Sequence, residues 1–86
     1  MNTATKKSIH IVALLNRRAE IARMVIRGNY SQHYYNLANW GVGAQGFRKT
    51  AQAIVAAMRE DSAFADDFRG VGFTHVLKAL KDDRRA

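Results

Sequence analysis

The chain contains no cysteine and no proline among its 86 residues. Without cysteine it can form neither a disulfide nor a thiolate metal site, so we expect a reducing compartment, the cytoplasm. Without proline, and with abundant alanine, the composition favours uninterrupted helices. A chain of this length is expected to form one domain with a small core.

Acidic residues are also scarce in the first 59 positions, where Glu20 alone opposes nine lysines and arginines. The formal net charge of +7 and the pI of about 10.4 therefore arise from the first two thirds of the chain. Such asymmetry favours a polyanionic partner, nucleic acid before membrane. The alternative is the charged surface of an ordinary soluble protein.

The N-terminal region has lysines before an apolar run, an order that is also found in signal peptides. The run over residues 9–15 is interrupted by His10 and ends at Asn16, with no small-residue cleavage site. No stretch approaches the roughly 18 apolar residues that a membrane span requires. We expect neither a signal peptide nor a membrane partner.

Apolar residues at helical spacing predict a first helix from Thr5 or Ser8 to about residue 27, ended by Gly28. Its apolar arc covers about half the circumference, and Arg18 falls inside it. Such a helix is either the centre of the core or packed on two sides, which includes a homodimer. Ser31 can cap a second helix over residues 32 to about 40.

The remaining helices are predicted over residues 47–59, from Asp61 or Ser62 to Phe68, and from Thr74 onwards. No alternating run of β-branched residues indicates a strand. The predicted fold is all-α, a compact bundle of four to five short helices forming a single domain over residues 1–86. Residues 1–5 and 82–86 are expected to be loose.

The predicted helix over residues 47–59 separates its apolar residues from its basic residues more clearly than the other helices do. One side carries five apolar residues: Phe47, Ala51, Ile54, Val55 and Met58. The other side carries Arg48, Gln52 and Arg59 with Lys49 beside them, and no acid appears before Glu60. We expect the apolar side to be buried and the basic side to face a partner.

The segment over residues 22–41 resembles a helix-turn-helix, in which the second helix enters the DNA major groove. Its turn is longer than usual, and an ordinary helical hairpin is an equal alternative. Five residues would then be candidates for base contacts: Gln32, His33, Tyr35, Asn36 and Asn39. Five basic residues would contact phosphates: Arg23, Arg27, Arg48, Lys49 and Arg59.

Four aromatic residues, Tyr30, Tyr34, Tyr35 and Trp40, lie within eleven positions. Such a cluster can stack on unpaired bases, form a protein-binding hot spot, or fill the core. We expect Tyr34 and Trp40 to be mostly buried, with Tyr30 and Tyr35 more accessible.

The glycines Gly41, Gly43 and Gly46 have the spacing of a dinucleotide-binding fingerprint, but no strand precedes them. We therefore interpret residues 41–46 as a flexible connection between helices. The amides of residues 43–47 would then open the basic helix and could bind a phosphate.

The three histidines lack metal-ligand spacing, and no nucleophile lies in a recognisable catalytic setting. We expect no enzyme activity, metal or cofactor. The first hypothesis is a DNA-binding regulator, with DNA favoured over RNA. The second is a non-enzymatic inhibitor or adaptor of the phage or plasmid anti-defence type, which docks on a larger nucleoprotein or protein complex. A homo-oligomer formed through the first helix is a third possibility.

Overall fold

The computed structural model describes the backbone of residues 3–83 and the side chains of residues 10–83. These residues form four α-helices and one short 3-10 helix, without a strand. The helices are α1 (Thr3–Ile26), α2 (Gln32–Glu60), α3 (Ala65–Phe68) and α4 (Phe73–Asp83), and the 3-10 helix spans Ser62–Phe64. The all-α prediction is confirmed.

The turn after α1 has the predicted glycine stop and serine cap. Gly28 has a positive φ of 82°, and its N–H donates to the carbonyl of Val25 at 3.1 Å. The Asn29 N–H donates to Met24 at 3.0 Å, which completes a Schellman motif. The Ser31 hydroxyl then accepts from the His33 N–H and caps α2.

The core lies between α1, α2 and α4, with α4 packed against both longer helices. Its largest fully buried apolar side chains come from all three helices: Val25, Ile26, Tyr34, Ile54, Val76 and Leu80. The predicted apolar side of residues 47–59 is buried except for Phe47, which is half-buried. The basic side of that segment is therefore left at the surface.

Among the described side chains of α1, only those of its C-terminal half are buried in this core, so the first of the two alternatives, a helix central to the core, is not met by residues 10–17. Leu14 and Leu15 are 42% and 48% exposed, whereas Ile21 and Val25 are buried. Arg18 marks the boundary between the two parts. Its guanidinium packs against Gly70, where an added Cβ would come within 2.6 Å of it, and it forms no ion pair with an acid among the described residues.

The glycine-rich segment is not the predicted flexible connection. Helix α2 continues through Gly41 and Gly43, and only Gly46 leaves helical geometry, with φ 86° and ψ 174°. At this corner Gly41 packs so closely on Thr50 that a Cβ on the glycine would lie 2.6 Å from the Thr50 hydroxyl oxygen. The two segments of α2, residues 32–45 and 47–60, therefore meet along their buried sides.

Two further boundaries differ from the prediction. Helix α4 begins at Phe73, so Thr74 lies inside it and does not cap it. The helix extends to Asp83, which pairs with Arg27, although residues 82–86 were expected to be loose. Residues 1–2 and 84–86 lie outside the described part of the chain.

The connection between α2 and α4 is held by an aromatic cluster. The Tyr30 ring meets Phe64 and Phe68 edge-on, with ring centroids 5.0 and 4.9 Å apart. Tyr34 is buried against Phe68, and its hydroxyl donates to Asp61 at 2.7 Å. Asp61 also accepts from the Ala63 N–H, so one carboxylate caps the 3-10 helix and pairs with the tyrosine.

These contacts predict a loss of stability at alkaline pH. Burial, with the hydrogen bond to Asp61, raises the pKa of Tyr34 above its ordinary value of 10.0, and burial with the Asp67 hydrogen bond does the same for Tyr30. The unfolded chain loses these protons near pH 10, whereas the folded chain retains them. The free energy of unfolding should therefore fall above pH 10, by up to about 1.4 kcal/mol per pH unit for each tyrosine.

Urea unfolding between neutral pH and pH 11.5 measures this effect, with Tyr34→Phe as the control. The variant loses the Asp61 hydrogen bond, which costs about 1 kcal/mol at neutral pH. Its free energy of unfolding should then fall less steeply above pH 10 than that of the wild type. Parallel curves for the two proteins would contradict the role of Tyr34.

Candidate nucleic-acid interface

The first segment of α2 presents an exposed surface without charged side chains, which we call the polar face. It consists of Gln32, His33, Asn36, Asn39 and Trp40, all of which are exposed. Tyr34, Ala38 and Gly41 occupy the opposite, buried side of the same segment. The amides, imidazole and indole of the polar face can donate or accept hydrogen bonds without the cost of burying a charge.

Trp40 is one of the residues that the sequence interpretation misplaced. Its side chain was expected in the core but is 66% exposed, the highest value among the large apolar side chains of the described residues. The spacing already carried the signal, because Trp40 follows Asn36 by four positions and His33 by seven. The helical period therefore places it on the polar face, although tryptophan is usually well buried.

The second segment of α2 presents the basic stripe, which consists of Arg48, Lys49, Gln52 and Arg59. All four side chains are exposed. The Arg48 guanidinium lies 5.4 Å from the centroid of the Phe73 ring, a cation–π distance that holds it against α4. Lys49 and Arg59 form no ion pair with any residue that the structure describes.

The polar face and the basic stripe meet at the corner of α2. Gly41 and Thr50 lie on the inner sides of the two segments, where they contact each other. The outer sides carry the polar face and the basic stripe, and the exposed residues 43–45 lie between them along the chain. One partner could therefore contact both by following the outside of the corner.

Three of the predicted binding residues lie apart from this surface or are partly covered. Arg27 pairs with Asp83 at 2.6 Å, and this hydrogen bond raises the pKa of the guanidinium above its ordinary value. Arg23 is partly buried in a groove between α1 and α4 that also contains Lys78. Tyr35 is partly buried over Gly28, where an added Cβ would lie 2.9 Å from the Tyr35 Cβ.

Tyr30, which was expected to be accessible, is also held by contacts within the protein. Its ring is part of the aromatic cluster, and its hydroxyl donates to Asp67 at 2.9 Å. The predicted phosphate seat is wrong for Gly43 and Gln45, because both residues lie within α2. The glycine spacing therefore does not form a phosphate-binding loop.

The acidic residues of the C-terminal third are largely occupied by other side chains. The five pairs are Tyr34 with Asp61, Arg69 with Asp66, Tyr30 with Asp67, Lys78 with Asp82, and Arg27 with Asp83. None of these contacts involves the basic stripe. The stripe therefore keeps its positive charge, with Glu60 as the only acid in α2.

Within the described residues, no group of three or more histidine, aspartate or glutamate side chains is arranged to hold a metal ion. None of the described helices has both the length and the apolar character that a membrane crossing requires. No protein-family model matches the chain, and comparison with curated proteins and with solved structures finds no match to either.

Proposed function

We propose that this protein binds nucleic acid, DNA in particular, through the outside of the α2 corner. The observation that carries the proposal is the composition of this surface. An exposed face of amide, imidazole and indole groups is followed by the basic stripe, and no acid interrupts either. Arg48, Lys49 and Arg59 would contact phosphates, and the polar face would contact bases.

The segment from the end of α1 into α2 also supports a role as a DNA-binding regulator. It forms a helix, a turn and a second helix, and four of the five predicted base-contacting residues are exposed on the second helix. In a helix-turn-helix this second helix lies in the major groove. Gln32, Asn36 and Asn39 would then favour adenine.

The proposal is tested by fluorescence anisotropy of labelled duplex and single-stranded DNA over a range of salt concentrations. Arg48→Ala with Lys49→Ala should weaken binding and lower the slope of log affinity against log salt by about 2, one for each lost phosphate contact. Helical circular dichroism should be unchanged, because both side chains are exposed.

Lys78→Ala with Lys81→Ala is the matched control. It removes the same charge from two exposed positions on α4. If binding depends on the basic stripe, this control should change the slope of log affinity against log salt clearly less than the Arg48→Ala, Lys49→Ala variant does. Equal changes in both double variants would attribute binding to net charge alone and reject the stripe as the site.

A second candidate is the docking inhibitor or adaptor, which is favoured by the exposure of Trp40 on an uncharged face. Tryptophan is the residue type most enriched in protein-binding hot spots, and an uncharged surface is buried with little electrostatic cost. Absence of DNA binding even at low salt would reject the first proposal and favour this one. Trp40 is the only tryptophan, so a blue shift of its emission would then report burial against an added protein.

A further inference from the structure

The first half of α1 projects from the bundle as an apolar arm, which we define as residues 3–16. Four of the five exposed large apolar side chains among the described residues belong to it: Ile11, Val12, Leu14 and Leu15. They are 42% to 54% exposed. Helix α1 has 24 residues and is about 36 Å long, so the arm is more than half of it.

The arm also changes the dimensions of the molecule. The radius of gyration is 14.1 Å and the longest extent is 50 Å against 29 and 18 Å for the other two. A compact chain of this length would have a radius of gyration of about 12 Å. The excess length agrees with a helix that continues past the elements that cover it.

The apolar side of the arm continues the buried side of α1. Ile11 and Leu15 precede Arg18 and Ala22 by seven positions each, so the four residues share one side of the helix. Ala22 is fully buried, and Arg18 packs on Gly70. The same face that packs into the core therefore continues without cover over residues 10–16, the part of the arm whose side chains the structure describes.

We propose that the arm pairs with the arm of a second copy of this chain. This inference is independent of nucleic-acid binding, because it rests on α1 and not on α2. Residues 8–16 contain no lysine, arginine, aspartate or glutamate. In a chain with a net charge of +7, two copies can pair along this stretch without a charged side chain of one copy facing the same stretch of the other.

An antiparallel pair covers the apolar side of the arm best. With a two-fold axis near residue 13, Ile11 of each copy lies level with Leu15 of the other, so each apolar face covers its equivalent. Lys6 and Lys7 of one copy then lie level with residues 19–20 of the other. A parallel pair would instead place these lysines beside their own equivalents.

The antiparallel arrangement also brings Lys6 level with Glu20, an exposed acid at the base of the arm. A nearby groove has a volume of about 260 Å³, and its lining is of mixed charge, with Arg17, Arg18 and Arg69 against Asp66 and Asp67. The Asp66 side chain is 95% exposed and makes only a 3.3 Å contact with Arg69. Its carboxylate is therefore accessible to a lysine from a second copy.

The available area predicts a reversible dimer. Stable interfaces bury about 800 Å² per partner, and the apolar part of the arm over residues 9–16, about two turns, offers roughly half of that. We therefore expect a dissociation constant on the order of 10 µM. Sedimentation equilibrium from about 1 to 200 µM should show the mass rising from 9.7 kDa towards twice that value.

Ile11→Glu with Leu15→Glu should raise the dissociation constant at least about tenfold. The matched control is Ala13→Glu with Asn16→Glu, which adds the same charge to the opposite, exposed side of the arm and should change it less than about threefold. Circular dichroism should report an intact fold in both. A monomeric wild type at the highest concentration, or equal effects of the two pairs, would overturn the proposal.

Cysteine cross-linking tests the orientation, because the natural chain has no cysteine. A mixture of Ile11→Cys and Leu15→Cys proteins should form the mixed disulfide faster than either protein cross-links with itself. Faster cross-linking of each cysteine variant with itself than with the other variant would overturn the antiparallel pair. A monomer that instead sediments with vesicles containing anionic lipid would assign the arm to a membrane surface and reject the second copy.

Discussion

Gly46→Ala is expected to lower the free energy of unfolding by about 2 kcal/mol. Gly46 has φ 86° and ψ 174°, a combination that is open almost only to glycine. Apart from Gly46 itself and its two neighbours in the chain, no residue has an atom within 4 Å of a Cβ added there. The cost therefore arises from the backbone conformation itself and not from a steric clash with a neighbour.

Two neighbouring glycines supply the controls in the same helix. Gly43 lies within α2 and has open space around an added Cβ, so Gly43→Ala should stabilise the protein by about 0.5–1 kcal/mol. Gly41→Ala should destabilise it by about 1–3 kcal/mol for a different reason, because its Cβ would lie 2.6 Å from the Thr50 hydroxyl oxygen.

Urea unfolding of the three variants separates these causes. Each substitution removes a similar amount of conformational freedom from the unfolded chain, so differences among them report the folded state. Gly41→Ala should be partly rescued by Thr50→Ala, which removes the clash, whereas Gly46→Ala should not be. Equal stability of the Gly46→Ala and Gly43→Ala proteins would show that the corner does not need a glycine conformation.

The same corner explains where sequence interpretation succeeded and where it failed. The end of α1 and the caps of the next two helices were predictable, because each is set by hydrogen bonds within a few residues. The residues concerned are Gly28, Ser31 and Asp61. Gly41 and Gly43 were interpreted as helix breakers, but a glycine costs a helix only about 1 kcal/mol. The burial of Gly41 against Thr50 offsets that cost, and this contact is tertiary.

Burial was predictable from periodicity only where another element covers the helix. The period of α1 predicted an apolar side correctly, but could not indicate that cover ends near Arg18. The same limit applies to Arg27, whose partner Asp83 lies 56 positions away. The basic stripe was predictable because periodicity defines both sides of residues 47–60, and the inner side is buried there.

If the polar face binds unpaired bases, Trp40→Ala is the substitution with the largest expected effect on binding to single-stranded DNA. Stacking of a base on an aromatic side chain contributes roughly tenfold to a hundredfold in affinity. The 66% exposure of Trp40 means that the folded protein should lose less than about 0.5 kcal/mol of stability. A large loss of stability would instead show that the indole is part of the core.

The dependence on salt distinguishes this loss from the effect of the basic stripe. Stacking releases few counterions, so Trp40→Ala should lower the affinity at every salt concentration by a similar factor and leave the slope unchanged. Trp40→Phe should recover part of the affinity because it restores an aromatic ring. A clearly shallower slope of log affinity against log salt for Trp40→Ala than for the wild type would contradict stacking.

Comparison of the two DNA forms then defines how α2 contacts its partner. If Trp40 stacks on unpaired bases, Trp40→Ala should weaken binding to the single strand more than to the duplex. If the polar face lies in a major groove, Asn36→Ala should weaken the duplex complex more than Trp40→Ala does, because groove contacts depend on hydrogen bonds to base edges. Unchanged affinity of both variants for both DNA forms would remove the polar face from the site and restrict DNA binding to the basic stripe.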